Sequence, residues 1–176
     1  SYAGLKTSTG NNILLPGNNA TTPRDVNRGF TSSTANFMYF SFLINVVDNT
    51  QIKTSADYFM HFGATSGTAV TIFGGRLGIK SVNSGANYRL SIQNTSGGTP
   101  TFTDYATDLV FGTTYLVVVK YDRSTSPTVA SLWVNPSSLG GTEPTGQVTN
   151  NSGTSAFATY ASICLRNTVN TPKANI

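Results

Sequence analysis

Seven carboxylates, one imidazole and one thiol are spread over 176 residues: Asp25, Asp48, Asp57, Asp104, Asp108, Asp122, Glu143, His61 and Cys164. Hydrolysis of a glycosidic bond takes two carboxyl groups about 5 to 9.5 Å apart across the scissile linkage. On a strand such a pair shows as acids two or four positions apart. Asp104 and Asp108 have that spacing, but "TDYATDLV" reads as a loop entering a strand, and Glu143 lies in the turn-like "GGTEPTG". A serine nucleophile has no G-x-S-x-G elbow here, and His61 is its sole candidate base. His61 alternates with Met60 and Phe62 in "YFMHFG", the setting of a structural histidine, and Cys164 in "ASICLRN" reads as a buried, inert thiol. The chain is therefore expected not to be an enzyme.

Three further chemistries leave traces. A polysaccharide lyase needs a tyrosine, a histidine and an arginine converging on a substrate carboxylate, and Tyr58, His61 and Arg89 would supply them if their strands were neighbours facing outward. One Cys and one His exclude zinc. No cofactor is expected, although a structural calcium could use Asp25 in "PRDVNRG" (23–29) or Asp122 in "KYDRST" with Asn and backbone oxygens. Saccharide binding asks for less: an exposed aromatic face to stack on a pyranose ring, bordered by polar side chains. Trp133 with Asn135 fits that description, and Tyr88 with Arg89 is expected to line a neighbouring strand. The competing expectation for Trp133 is that a loop covers it and it simply packs.

The elements that must position these residues are strands. Gly, Thr and Asn recur too often for a helix, and no ten-residue window shows apolar residues at three- and four-residue spacing. "FMYFSFLINVV" (37–47) sets Met38, Phe40, Phe42, Ile44 and Val46 on one face and Phe37, Tyr39 and Leu43 on the other, as a central strand covered on both sides would. "TTYLVVVKYD" (113–122) and "TVASLWVNP" (128–136) predict a hairpin joined by "RSTSP", with Ala130, Leu132 and Val134 facing the core. "TSAFATYASICLRN" (154–167) predicts another long strand, and "ANI" (174–176) the start of one more. Ten to thirteen short strands in one domain over residues 1–176 predict an all-β, two-sheet antiparallel sandwich.

Charged residues make up 10% of the chain, with Ser, Thr, Asn and Gly in their place, a surface suited to a secreted or cell-surface protein. The net charge of +4 comes from scattered Lys and Arg without a basic run, so no nucleic-acid partner is expected, and no apolar stretch is long enough to span a membrane. The chain begins with Ser1, consistent with a removed signal or a piece of a longer chain.

"VNRGF" (26–30), the "FMYFSFLINV" strand, "DYFMHFG", "GRLGIKSV", "TTYLVVVKYD" and "LWVNPSSLGGTEPT" occur in that order over nearly the whole chain. Together they resemble the laminin-G-like (concanavalin A-like) jelly-roll modules of secreted and cell-surface proteins of Bacteroidetes and related bacteria. The resemblance implies an all-β, two-sheet antiparallel jelly-roll sandwich, export, and a non-catalytic role in carbohydrate recognition or adhesion within a larger protein. It carries no catalytic residues. Similar modules continue past "ANI" into a closing C-terminal strand that this sequence lacks; the expectation is a piece of a longer chain, and the alternative is an open groove that pairs with a strand of a neighbouring copy. The alternatives to a glycan-binding module are a structural subunit or stalk domain of an extracellular filament and a polysaccharide lyase.

Overall fold

The computed structural model describes residues 5, 10–17, 25–167 and 169–176. Among them lie twelve strands: β1 (Leu14–Pro16), β2 (Val26–Ser33), β3 (Phe37–Val46), β4 (Asp57–Gly63), β5 (Phe73–Val82), β6 (Asn87–Thr95), β7 (Thr103–Asp104), β8 (Thr114–Asp122), β9 (Val129–Val134), β10 (Val148–Asn150), β11 (Tyr160–Leu165) and β12 (Lys173–Asn175). They form two six-stranded sheets, β1-β12-β3-β8-β9-β10 and β2-β11-β4-β5-β6-β7, here called the first and second sheets. Every ladder is antiparallel. The only other regular element among the described residues is a 3-10 turn, Asn83–Gly85.

Period-two alternation explains which side chains meet between the sheets. In the β8–β9 hairpin, Val117 pairs with Val134, Val119 with Leu132 and Tyr121 with Ala130, and all six are buried in one core. From the second sheet Phe59, Phe62, Leu77, Ile79, Leu90 and Ile92 complete it. On β3, Phe40, Ile44 and Val46 face inward as expected. The outer face of β3 departs from the expectation of cover on both sides: Phe37 is 50% and Tyr39 41% exposed.

One further departure has a local cause. The strand expected over 154–167 forms a ladder only at Tyr160–Leu165. The backbone of 153–155 is spent on the 94–97 turn instead: Gly153 N donates to Asn94 Oδ1, Thr154 N to Gly97 O and Ser155 N to Ser96 O. As expected of 174–176, a strand forms there, β12, and it lies inside the first sheet. β12 is hydrogen-bonded to β1 on one side and β3 on the other, and Ile13 and Ile176 exchange backbone hydrogen bonds of 2.7 and 2.9 Å.

One polar device joins the sheets. Asn94, wholly buried on β6, donates its backbone N–H to Asn150 Oδ1 on β10 of the opposite sheet (2.9 Å) and its side-chain amide to Thr128 O and Gly153 O. Backbone acceptors left unpaired here would each cost about 1–3 kcal/mol, so the asparagine fixes how the sheets meet at this end.

Candidate functional site

Trp133 projects from the outer face of β9, as its parity opposite Leu132 requires, but it is 3% exposed. The segment after β9 folds back over it, and the indole Nε1 donates to Thr145 O at 3.1 Å. Trp133 is thus floor, not platform, and the expectation of an open stacking face is corrected. Between it and the overlying loop is a cleft of ≈ 340 Å³, walled by Tyr39, Val118, Leu139 and Glu143 among others. Tyr39 lies 6.5 Å from Trp133 between ring centroids and remains exposed. Its hydroxyl donates to Glu143 Oε2, while Lys120 reaches both Glu143 oxygens at 3.2 Å and sits 4.7 Å from the centre of the Phe37 ring. Burial and the bond to Glu143 push the Tyr39 hydroxyl pKa up, so it stays a proton donor.

The other three residues expected at the site are placed elsewhere. Asn135 follows β9 with a left-handed backbone (φ 47°), at the start of the segment that folds back over Trp133. Its backbone N–H donates to Leu116 O and its Oδ1 accepts from Leu116 N, both at 2.8 Å, so it closes the hairpin and does not line the cleft. Tyr88 is fully buried in the core against Phe111, since β6 turns Tyr88, Leu90 and Ile92 inward. It belongs to the second sheet, not to a neighbour of β9. Arg89 faces outward but is bound by Asp108, Nε to Oδ1 at 2.5 Å. Hydrogen bonds from Arg89 and Asn83 hold the Asp108 carboxyl below the ordinary carboxylate range. Asp104 is taken by Lys80 (2.7 Å) and Ser91 (2.8 Å), so Asp104 and Asp108 serve separate cations.

The outer face of the second sheet holds a different cluster. Tyr58 and His61 meet there with ring centroids 5.6 Å apart, and Phe73 packs 4.3 Å from the imidazole. They line a cleft of ≈ 300 Å³ with Asp25, Asn27 and Cys164. His61 Nδ1 is 3.0 Å from Phe62 O, and a carbonyl can only accept, so Nδ1 carries the proton and the Nε2 lone pair is left over. Burial drives the His61 pKa down to about 4. Cys164, opposite His61 in the β11–β4 ladder, has its thiol pushed up by burial and its Sγ 3.4 Å from Ser162 Oγ. The arginine of this cluster is not Arg89. Arg76 and Arg166 place their guanidinium carbons 3.9 and 4.3 Å from the centre of the Tyr58 ring, and Arg166 is paired with Asp57 at 2.7 Å.

Among the described residues no three His, Cys, Asp or Glu side chains converge on a metal site. Asp25 Oδ1 accepts from Asn167 N and Asp122 Oδ1 caps Ser124, so both loops considered for calcium use a carboxylate oxygen internally. Pro23 and Arg24 of the first loop lie outside the described residues.

No family model and no curated protein matches the sequence. Among solved structures, it is similar to the native heptameric SAP-like pentraxin from Limulus polyphemus, with a TM-score of 0.56, 11% identity, and 93% of this chain and 71% of that one covered. It is similar also to the endo-beta-1,4-glucuronan lyase from the fungus Trichoderma reesei, with a TM-score of 0.51, 10% identity, and 89% and 67% covered. The fold is a concanavalin A-like jelly roll. At these identities the jelly roll is what the chains share. No helix among the described residues is long and apolar enough to cross a membrane.

Proposed function

We propose that this jelly roll is a non-catalytic module of a secreted or cell-surface protein that recognises a glycan through the Tyr39–Trp133 cleft. One observation carries the proposal: an aromatic floor and an exposed tyrosine wall enclose ≈ 340 Å³ beside a Lys120–Glu143 pair. That volume is at the lower end of the ~300–1,000 Å³ usual for ligand sites, and the apolar surface with few convergent polar groups suits a sugar ring and its hydroxyls. The resemblance to laminin-G-like modules supports export and a role in adhesion.

Trp133 is the only tryptophan, so its emission reports on the cleft directly. Screening on a glycan array followed by titration of a hit should give a saturable change in emission that Tyr39→Ala removes while the melting temperature stays within a few degrees. An array without saccharide selectivity would discard the glycan reading in favour of a filament subunit or stalk domain.

A second reading is favoured by the meeting of Tyr58 and His61, together with the likeness to a glucuronan lyase. In an elimination, His61 Nε2 would take the proton beside the uronate carboxylate. The carbon–oxygen bond to the leaving sugar would break as the carbon–carbon double bond forms, and Tyr58 would protonate the departing oxygen. Incubation with uronate polymers while following absorbance of the unsaturated product decides it. A rise abolished by His61→Ala replaces the non-catalytic proposal, and a flat trace retires elimination.

A further inference from the structure

Arg76 stands out among the cations of this chain. All seven carboxylates are engaged elsewhere: Asp48 by Lys173, Asp57 by Arg166, Asp104 by Lys80, Asp108 by Arg89, Asp122 and Glu143 by Lys120, and Asp25 by Asn167 N. Among the described residues Arg76 has no ion pair, although it is half-buried on β5 at the centre of the second sheet. One terminal nitrogen donates to Gln93 Oε1, a neutral acceptor, and its buried Nε has no partner. Arg166 brings a second guanidinium to the same tyrosine ring. A desolvated cation normally has a contacting counter-charge, because losing its water is not repaid by neutral hydrogen bonds and ring faces; the Asp57 carboxylate acts favourably on Arg76 but is itself paired with Arg166.

We propose that Arg76 is the receptor for the carboxylate of an acidic saccharide, a hexuronate residue, bound on the outer face of the second sheet. Guanidinium and carboxylate match in planar, bidentate geometry, which a neutral sugar does not exploit. The adjoining ≈ 300 Å³ cleft offers the rest of the sugar a ring surface at Phe73 and polar groups at His61 and Asn27. The site is separate from the Tyr39–Trp133 cleft, which lies on the other sheet, and it needs no bond to break.

The test is calorimetric titration of the full chain with a defined oligouronate and with the same oligomer after reduction of its carboxyl groups to alcohols. The oligouronate should bind with an affinity that falls as salt is raised, and the reduced oligomer should bind at least tenfold more weakly. Arg76→Met, which keeps the apolar stem and removes the charge, should weaken oligouronate binding tenfold or more. Gln93→Glu should do the same for the opposite reason, by supplying the missing counter-charge from within, and should raise the melting temperature. Equal affinity for the two oligomers, or undiminished binding by a folded Gln93→Glu variant, overturns the proposal. Loss of the Trp133 emission response in Tyr39→Ala reads the other cleft, so the two proposals fail separately.

Discussion

Tyr88 and His61 show how burial decides what a reactive side chain is for. Tyr88 places its hydroxyl in the core without a hydrogen-bond partner, and burial pushes its pKa up. A buried, unpaired hydroxyl costs free energy that its removal returns, so Tyr88→Phe should leave stability unchanged or raise it by up to about 1 kcal/mol. A drop of more than that in denaturant titration would mean the hydroxyl has a partner. His61 gives a pH signature. Its folded pKa of about 4 is below the ordinary 6.5, so between those values the unfolded chain binds more protons. Stability should therefore decline as pH falls from about 6.5 and level off for this group below about 4. The total is about 3 kcal/mol at ~1.36 kcal/mol per pH unit. His61→Phe should flatten that interval relative to the parent; parallel curves would contradict it. The inward placement of Tyr88 was legible but misread, since Leu90 and Ile92 share its parity although it was expected to line a binding strand. That of His61 was legible from Met60 and Phe62 on either side. The neutralisation of Arg89 by Asp108 was not, because the residues lie on different segments and nothing local couples them.

At the scale of elements, alternation identified the β8–β9 hairpin and the inward face of β3 because each of those strands has one buried side. It failed over 154–159, where the backbone N–H groups of Thr154 and Ser155 go to a turn rather than a ladder, and it could not decide between an open Trp133 and one covered by a loop. That loop is held near its middle by Glu143 through Lys120 and Tyr39. Exposed ion pairs contribute only ~0–1 kcal/mol, so Glu143→Ala should barely change the unfolding midpoint. It should nevertheless make Trp133 emission more accessible to a neutral quencher such as acrylamide; unchanged quenching would show that the loop is held by its apolar contacts alone. Asn94 is the opposite case. Asn94→Ala leaves Thr128 O, Gly153 O and Gly153 N without their partners and should cost about 3 kcal/mol, read as a shift in denaturation midpoint without change in slope. A loss under 1 kcal/mol would mean water replaces the amide.

For the whole molecule, runs of consecutive strands, β4 to β7 and β8 to β10, are joined to the rest by ladders between remote segments. β1 pairs with β12, β12 with β3 and β3 with β8 in the first sheet, and β2 with β11 in the second, so neither sheet is complete until distant segments have met. Closing such loops before contacts repay them makes folding slow, and refolding followed by Trp133 emission should fall in the millisecond-to-second range typical of sandwiches. Microsecond recovery would require a local route that this topology does not offer. The fold class was legible because strand number, turn spacing and the lack of helical periodicity agree. The pairing order was not, because ladders between remote strands leave no mark on either strand alone.

The Tyr39–Trp133 cleft and the Arg76 face open in opposite directions, back to back across sheets packed ~10 Å apart. A short oligosaccharide seated on one side cannot reach the other around the edge of the sandwich. Occupancy of both would therefore tie together two separate polymer strands, making a single copy a cross-linker between the glycan held at the Tyr39–Trp133 cleft and an acidic polysaccharide held at Arg76.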